Sequence, residues 1–471
     1  MAAFQDDSAA ALRVAAEYAH RYLLDLTGRP VSHPEPVVSP FDRPLPAAGL
    51  GAEAAVRLLG DGLLDAATRS SGPRYFHFVT GGTTPAALAA DWLTSVADQN
   101  GAAWVCSPFA ARAETAVLDW LQDLFELPGG WDGVLTTGAT MANCTGIAAA
   151  RRWWGLRHGI DVDADGLAGL PQMPVFGGGY VHASAVKSLD VLGIGRSSLR
   201  RFARPDGRLD PAALSRELAA LGGAPALILA TAGETDTGDF DPIAELAEMA
   251  REHGAWLHID GAFGLFSRLS PRTAGLTTGL EQAHSVAADG HKWLNVPYDC
   301  GFAFVRERGL LGSVFTNSAA YLVDPDDPHP IFSNVGPDNS RRVRAFAAWA
   351  TLAAYGRDGY RAMVEHHLDL AGQLAAAVEA APDFELLAPA TLNVVCFRYR
   401  PPGVTDEEAD RLNTALGSAV LDDGRVHLGT TRHRGRVAFR PAFVNWRTTA
   451  SDVAQLPGVL RQLAGKLDDA S

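Results

Sequence analysis

Short apolar runs alternate with helical segments through the middle of the chain, and this alternation constrains the fold more than any other feature. The predicted strands cover residues 133–137, 175–181, 226–231, 255–259 and 285–288, and the intervening helices cover 141–158, 183–193 and 242–252. Strands joined by helices of this length pair in parallel. An α/β fold is therefore predicted, with a large, mostly parallel sheet flanked by helices and an antiparallel strand at 303–305.

The two ends of the chain follow different patterns. Residues 8–26 and 52–67 are predicted helices, and between them lies a proline-dense stretch, 30–46, that cannot form a core of its own. A long helix is predicted to begin at 341–355 and to run past Gly356 into 360–381. Beyond it, a smaller antiparallel sheet is predicted from strands 392–399, 426–429 and 436–443, covered by helices 406–422 and 451–467. We expect three domains: an N-terminal helical and extended arm (1–70) that packs on a partner subunit, a large domain (71–355) and a small C-terminal α+β domain (356–471).

The composition narrows the class of protein. The 471 residues carry a formal net charge of −14, which argues against nucleic acid and membrane surfaces as partners, because both are bound by basic patches. No apolar run reaches the roughly 18 residues of a membrane span, and no signal peptide is apparent at the N-terminus. We expect a cytoplasmic protein without disulfides or a metal site, since its cysteines are widely separated: Cys106, Cys144, Cys300 and Cys396.

The segment 285–301, SVAADGHKWLNVPYDCG, presents Lys292 just beyond a predicted buried strand. A turn is predicted at Asp289-Gly290, and Pro297 prevents a helix afterwards. A lysine between Trp293 and apolar neighbours loses hydration of its charged form, which favours the free amine that attacks an aldehyde. A lysine whose stem covers apolar surface while its ammonium reaches solvent fits the same stretch.

Four more polar features follow predicted strands, at the edge where open α/β sheets bind ligands. The sequence TTGAT at 136–140 precedes a helix and can hold a phosphate, although small residues there often serve only as a cap. His182 and Thr235 are equally typical of structural residues. Asp260 ends an apolar strand and needs a cationic partner, either an arginine or a protonated ring nitrogen.

Together and in this order, the five features form a specific combination. A phosphate-binding turn, a histidine that can stack on a ring, a carboxylate for a ring nitrogen and a lysine for an aldehyde are what pyridoxal phosphate requires of a protein. The bound ring then withdraws electrons from the substrate Cα. We therefore predict pyridoxal phosphate as the cofactor.

The same segments carry a family resemblance. The motifs are GVLTTGATMAN (133–143), HAS (182–184), HIDGAFG (258–264), the segment 285–301 and SRR (340–342). They resemble those of the group II pyridoxal-phosphate decarboxylases, which include aromatic-amino-acid and glutamate decarboxylases and have fold type I. The resemblance extends over nearly the whole chain. It implies a homodimer with active sites at the subunit interface, in which Phe109 approaches the partner's pocket.

The resemblance also implies a role for each matched residue. Lys292 forms the Schiff base with the cofactor, His182 stacks on the ring near the departing carboxylate, and Asp260 keeps the ring nitrogen protonated. The other implied contacts are Ala262 on the opposite ring face, Ala139, Thr140 and His291 at the phosphate, and Thr235 near the ring and the substrate.

Two positions depart from the family pattern. Asp289 stands where aromatic decarboxylases carry an asparagine near the phosphate, and since a carboxylate repels phosphate, we expect Asp289 to bond the backbone or His291. Counting back from Arg341, Phe332 falls where the family has a loop tyrosine that protonates Cα, and phenylalanine has no proton to donate.

The predicted activity is decarboxylation of an L-amino acid to the amine. If Phe332 leaves the carbanion unprotonated, oxygen would convert it to an aldehyde, unless His182 or Tyr321 supplies the proton. Other fold type I reactions, and binding without turnover, remain as alternatives. An aromatic substrate is favoured by the aromatic residues that we expect to line its pocket: Phe76, His77, Phe78 and Phe109.

Overall fold

The computed structural model describes residues 6–32, 41–42, 44–317, 319 and 327–469. The chain divides into two compact units: one contains Gly81–Ala371 and Ala390–Val394, and the other contains Met1–Thr80, Gly372–Pro389 and Val395–Ser471. These units divide the chain at other positions than the three predicted domains. The packing of the N-terminal arm on a partner subunit stays a prediction.

The larger unit contains a seven-stranded sheet in the order β1-β7-β6-β5-β4-β2-β3. Its strands are β1 (Asp132–Thr136), β2 (Val175–Gly177), β3 (Leu199–Arg201), β4 (Leu227–Thr231), β5 (Trp256–Asp260), β6 (Ser285–Asp289) and β7 (Gly301–Val305). Neighbours from β3 to β6 pair in parallel, whereas β7 runs antiparallel to both β6 and β1. The predicted mixed and mostly parallel sheet is confirmed, including the antiparallel strand at 303–305.

Helices precede, connect and follow these strands. In this unit they are α3 (Pro85–Ala97), α4 (Pro108–Leu124), α5 (Ala139–Arg157), α6 (Ala183–Val191), α7 (Pro211–Ala220), α8 (Ile243–His253) and α9 (Leu310–Phe315). Helix α10 (Ala345–Glu379) leaves helical geometry at Gly356, where φ is 59°. Glycine tolerates that conformation because it has no Cβ. The long helix predicted to run past Gly356 is therefore kinked at this residue.

Local sequence explains where these elements begin and what they bury. Thr84 and Ser107 cap α3 and α4 with their side chains, and a proline follows each at the first helical position. Strands β4, β5 and β6 are buried along their whole length, as expected for a parallel sheet covered on both faces. The polar residues that end these strands therefore meet at one edge of the sheet.

The second unit is built around a four-stranded antiparallel sheet, in the order β10-β11-β9-β8. Its strands are β8 (Phe384–Leu386), β9 (Phe397–Tyr399), β10 (Thr430–His433) and β11 (Arg436–Phe439), and its helices are α1 (Ser8–Leu24), α2 (Ala52–Ala66), α11 (Asp406–Asp423), α12 (Ala450–Ala454) and α13 (Leu456–Asp469). Val31 N–H donates to Gly424 O at 2.7 Å, which ties the N-terminal segment to the end of α11.

Some predicted strands are wrong in extent or position. The segment 426–429 forms no strand; β10 begins immediately after it, and the predicted strand 392–399 shortens to β9. Strand β3 was not predicted because its residues are half-buried or exposed, so it lacks the apolar run that marks a central strand. Among the helices described, none combines the length and apolar character that a membrane crossing needs.

Candidate active site

A cavity of about 370 Å³ opens at the edge of the large sheet where β4, β5 and β6 end. This is where open α/β sheets bind ligands. The structure brings eight of the predicted site residues into its wall: Ala139, Thr140, His182, Thr235, Asp260, Ala262, His291 and Lys292.

Lys292 enters this cavity three residues after β6. The chain contains three lysines, Lys187, Lys292 and Lys466, and of these Lys292 lines the cavity. Its Nζ lies 3.2 Å from Asp289 Oδ2 and 5.7 Å from the centroid of the Phe263 ring. The amine is therefore paired with a carboxylate on one side and faces an aromatic ring on the other.

The expectation that Trp293 walls this lysine is wrong. Trp293 is fully buried, and its Nε1 donates to His367 Nδ1 at 2.9 Å. The turn at 290–294 carries these two neighbouring side chains into different surroundings, which apolar composition could not reveal. The Asp289 carboxylate lies beside the amine on the side where an apolar wall was predicted.

The backbone around Lys292 is fixed by a close approach of Gly81. Gly81 N–H donates to His291 O at 3.1 Å, and a Cβ at Gly81 would lie 1.6 Å from Lys292 O. Asn295 Nδ2 also donates to Trp293 O at 2.9 Å. These contacts leave no room for a larger residue at Gly81 and hold the lysine loop in one position.

Helix α5 begins at the cavity without a side-chain cap, because the residue before it is Gly138. Instead, Ala139 N–H donates to Asp289 Oδ1 at 2.5 Å, and His291 Nε2 lies 3.5 Å from the same oxygen. The expectation that Asp289 bonds the backbone or His291 is confirmed by these contacts. Burial lowers the pKa of His291, and Asp289 opposes that shift.

Asp260 is the last residue of β5 and is buried, with 7% of its surface exposed. It accepts from Asn143 Nδ2 at 2.8 Å and from Ala262 N–H at 3.2 Å. Among the described residues, no lysine, arginine or histidine pairs with it within 4 Å. A buried carboxylate that has only neutral donors and faces a cavity is suited to a cation that enters the cavity.

His182 and Thr235 complete the predicted set. His182 caps α6: its Nδ1 accepts from Ser184 N–H at 3.2 Å and lies 2.8 Å from Ser184 Oγ. Thr235 donates to Glu234 Oε1 at 3.2 Å, and the same carboxylate accepts from the backbone of residues 236 and 237. Burial raises the pKa of Glu234. This carboxylate folds the loop that brings Thr235 to the cavity.

Comparison with known proteins identifies the family. The family model described as the pyridoxal-dependent decarboxylase conserved domain matches residues 59–400. The chain belongs to this family. Pyridoxal phosphate is its cofactor, and amino-acid decarboxylation is its reaction.

Individual relatives agree with this assignment. The decarboxylase is 27% identical to an aromatic-L-amino-acid decarboxylase of Bacillus atrophaeus over 89% of this chain and 87% of that one. It is 32% identical to an L-2,4-diaminobutyrate decarboxylase of Rhizobium meliloti, over 90% and 84%. The structure of Oryza sativa TDC with PLP and tryptamine shares the fold, with a TM-score of 0.90 and 24% identity over 98% of this chain and 99% of that one.

The residues of the decarboxylase fit this cofactor. The start of α5 places the Thr140 N–H at the cavity for a phosphate, beside the Ala139 N–H that donates to Asp289, and Asp260 offers a buried carboxylate to a ring nitrogen. Lys292 offers an amine to an aldehyde in the same cavity. When bound, the cofactor supplies an electron-withdrawing ring that stabilises negative charge at the substrate Cα.

Five other predicted site residues do not line this cavity. Phe332 is 6% exposed and lies in a short 3₁₀ helix, Phe332–Asn334, with the Arg341 guanidinium 5.7 Å from its ring. Phe109 is 75% exposed and lies beside Phe346. Neither residue reaches this cavity in the chain, and their predicted roles stay predictions.

The aromatic segment at 76–78 belongs to the other compact unit. Phe76 is buried against Phe443, and burial lowers the pKa of His77 to about 4. Phe78 is 60% exposed and has a φ of 56°. The aromatic pattern here therefore combines core and surface positions, and a substrate-binding role stays a prediction.

Sequence reasoning missed several residues of the site. Tyr180, Ser184, Phe263 and Tyr298 line the cavity, and Asn143 lies behind it. Asn143 is four residues after Ala139, so the helical repeat places both on one face of α5. That spacing was a usable signal for Asn143. Nothing in the pattern distinguished Phe263 or Tyr298 from core aromatic residues.

Proposed function

We propose that the decarboxylase converts an L-amino acid with a neutral aromatic side chain to the corresponding amine. The observation that carries this proposal is which charged side chains line the cavity. Its described lining contains Lys292, Asp260 and Asp289 but no arginine and no further carboxylate. Lys292 and Asp289 pair with each other, and Asp260 is suited to the ring nitrogen. No lining charge is left for an acidic or a basic substrate side chain.

Aromatic neighbours support the same substrate class. Tyr180, Phe263 and Tyr298 line the cavity, and flat apolar side chains pack favourably against such rings. The Bacillus atrophaeus relative is named as acting on aromatic amino acids, whereas the Rhizobium meliloti relative is named for diaminobutyrate. A second ammonium group would need a carboxylate partner in the pocket, so we favour the aromatic substrate.

In this proposal each lining residue acts on a defined group. Lys292 would supply the amine that holds the cofactor aldehyde. Asp260 would keep the ring nitrogen protonated, while His182 and Ala262 would cover the ring. Ala139, Thr140 and His291 would hold the phosphate, and Thr235 would lie near the ring and the substrate.

We assign the proton that reaches Cα to His182. The Tyr180 hydroxyl donates to Asp239 Oδ2 at 2.8 Å, and burial together with that carboxylate raises the pKa of Tyr180, so its proton is firmly held. Tyr321, the other predicted donor, lies outside the described residues. His182 lines the cavity, and once it has taken up a proton from solvent it can give that proton to Cα and return to the neutral imidazole.

A substrate screen tests this proposal. The purified protein, loaded with pyridoxal phosphate, is supplied with each of the twenty amino acids and with 2,4-diaminobutyrate. Carbon dioxide release is measured and each product is identified by mass. We expect amine from phenylalanine, tyrosine or tryptophan. Turnover confined to diaminobutyrate or to acidic amino acids would disprove the aromatic assignment.

Oxygen dependence tests the alternative product. If the site lacks a proton donor because Phe332 stands at the tyrosine position, the wild type makes aldehyde, ammonia and peroxide in air. In that case Phe332→Tyr raises the ratio of amine to aldehyde. The buried position of Phe332 in this chain favours the plain decarboxylase. We expect the same amine yield with and without oxygen, unchanged by Phe332→Tyr.

We also propose that the decarboxylase is a homodimer. Large apolar side chains stay exposed on α3, α4 and α10 of the larger unit: Trp92, Leu93, Val96, Phe109, Trp120 and Trp349. Soluble monomers rarely leave so many large apolar groups in contact with water, and subunit interfaces are rich in them. Light scattering should give twice the chain mass, and Phe109→Glu should shift the mass toward the monomer.

We also propose that the decarboxylase works in a reducing compartment. The cysteines at 106, 144, 300 and 396 form no disulfide, which is typical of cytoplasmic proteins. We therefore propose a cytoplasmic location, which fractionation of the source cells would test.

A further inference from the structure

Asn143 stands at the centre of a buried hydrogen-bond network behind the cavity. Its Nδ2 lies 2.8 Å from Asp260 Oδ2 and 3.1 Å from Ser184 Oγ, and its Oδ1 lies 2.9 Å from His258 Nε2. His258 Nδ1 is 2.8 Å from Ser285 Oγ. Asn143, His258 and Ser285 have no exposed surface, so water does not replace these bonds.

The Asp260 end of the network sets the direction of its hydrogen bonds. Asn143 Nδ2 donates to Asp260 Oδ2, because a carboxylate accepts, and this turns Asn143 Oδ1 toward His258. His258 Nε2 must then donate to Asn143 Oδ1, so the neutral imidazole carries its proton on Nε2. Its Nδ1 accepts from Ser285 Oγ, which itself accepts from Trp256 Nε1 at 2.9 Å. The second hydrogen of the Asn143 amide is left for Ser184.

The network branches at Asn143 and reaches His182 through Ser184. Ser184 Oγ accepts from Asn143 Nδ2, so its hydrogen is available to His182 Nδ1, 2.8 Å away. Ser184 N–H donates to the same Nδ1 at 3.2 Å. A nitrogen that accepts two hydrogen bonds is unprotonated, and the proton of neutral His182 must then lie on Nε2.

We propose that Asn143 and His258 are positioning residues that hold Asp260 as a hydrogen-bond acceptor and His182 with its proton on Nε2. They touch neither substrate nor cofactor, and they act through the two residues that do. The proposal rests on the proposed function, because that function assigns Asp260 to the ring nitrogen and His182 to the proton that reaches Cα.

The charge state of His258 agrees with this arrangement. Burial lowers the pKa of His258 to about 4, with the nearby Asp260 carboxylate opposing the shift. The imidazole is therefore neutral at pH 7 and keeps one proton. A protonated His258 would donate from both nitrogens, and its Nδ1 could no longer accept from Ser285.

Binding of pyridoxal phosphate to the substrate-free protein gives the first test. We would compare Asn143→Ala, Asn143→Asp and His258→Leu with the wild type by absorbance titration, and follow the absorbance of the bound cofactor against pH. Removal of the Asn143 amide leaves a buried carboxylate with fewer donors. We expect cofactor affinity to fall about tenfold or more, with a shifted pH profile of the absorbance.

Two further variants separate positioning from mere stability. In His258→Gln the amide oxygen accepts from Ser285 and the amide nitrogen donates to Asn143, so we expect affinity and spectrum to recover. His367→Leu is the matched control, because His367 is also fully buried beside an indole but does not line the cavity. It should lower the melting temperature about as much as His258→Leu while leaving the cofactor spectrum unchanged.

The tautomer of His182 gives a second test that needs no variant of the network. In protein labelled with ¹⁵N in the histidine rings, the His182 signals are assigned by their loss in His182→Gln. We expect the pattern of a ring protonated on Nε2. Protonation on Nδ1, or cofactor affinities within about twofold of the wild type in all three network variants, would overturn the proposal. If the network variants lose cofactor affinity as expected but the wild type releases carbon dioxide from none of the amino acids in the screen, only the proposed function would be contradicted.

Discussion

At the scale of single residues, the site combines two buried carboxylates with different partners. Asp289 lies between the Lys292 amine and the start of α5, whereas Asp260 is bonded by neutral N–H groups. Because the partners differ, one carboxylate balances the charge of the lysine and the other can balance a protonated ring. The individual residues can therefore be tested one at a time.

Lys292→Ala should abolish both turnover and the visible absorbance of covalently bound cofactor. The other two lysines lie outside the cavity, so no amine replaces the lost one. Absorbance of the purified protein and carbon dioxide release measure the two losses, and circular dichroism checks the fold. Lys187→Ala, at an exposed position on α6, is the control and should keep both properties. Full activity of Lys292→Ala would refute the central assignment.

Asp260→Asn should lower the rate of decarboxylation by roughly 30- to 1000-fold, since the loss of a charged partner in a water-poor site costs about 2–4 kcal/mol. Asparagine keeps the size and can still accept from Asn143, so the change isolates the charge. Single-turnover kinetics with saturating substrate provide the measurement. A loss below about threefold would mean that Asp260 does not serve the ring nitrogen.

At the scale of elements, the beginning of α5 decides how tightly the phosphate is held. The N-terminus of a helix attracts anions, and here Asp289 already accepts from Ala139 N–H. The carboxylate thus stabilises the helix end while it repels a phosphate that approaches the same N–H groups. The Asp289 carboxylate therefore stabilises the protein without cofactor but weakens the binding of the cofactor phosphate.

Asp289→Asn should separate these effects. The uncharged side chain no longer repels phosphate, so we expect pyridoxal phosphate to bind roughly tenfold more tightly by absorbance titration. Without cofactor the variant should melt at a lower temperature than the wild type, because the helix end and Lys292 lose a charged partner. Weaker cofactor binding by Asp289→Asn would contradict this account.

At the scale of the whole molecule, buried histidines should make the fold sensitive to acid. Burial lowers the pKa to about 4 for His77 and His258 and to about 3 for His284. Below pH 6.5 these histidines bind protons in the unfolded chain but stay neutral in the folded protein. The free energy of unfolding therefore decreases as pH falls from about 6.5 toward 4. Asp241, whose pKa burial raises to about 6, acts in the opposite direction.

The melting temperature should therefore fall steadily between pH 6.5 and pH 4. In His284→Asn, the side-chain oxygen can accept from Leu257 N–H as His284 Nδ1 does, but the group no longer titrates. We expect the slope of the unfolding free energy against pH to shrink by about 1.4 kcal/mol per pH unit, the value for one proton. An unchanged slope would show that His284 is protonated in the folded chain.

Local sequence determined much of this molecule. Apolar runs specified the central strands, since a strand covered on both faces must be apolar throughout. The order of TTGAT, His182, Asp260 and Lys292 identified the chemistry, because each residue follows a strand that ends at the same edge. These features depend on residues that are close together in the sequence, so they can be predicted from the sequence alone.

Only the tertiary structure decided the rest. Side-chain direction in the lysine loop set Asp289, rather than Trp293, beside the amine, and chain packing put Phe332 beneath Arg341. The network from Trp256 to Asp260 joins residues more than one hundred positions apart. Such contacts arise where separate strands and helices meet, and because any polar residue can find partners there, no local pattern marks them in advance.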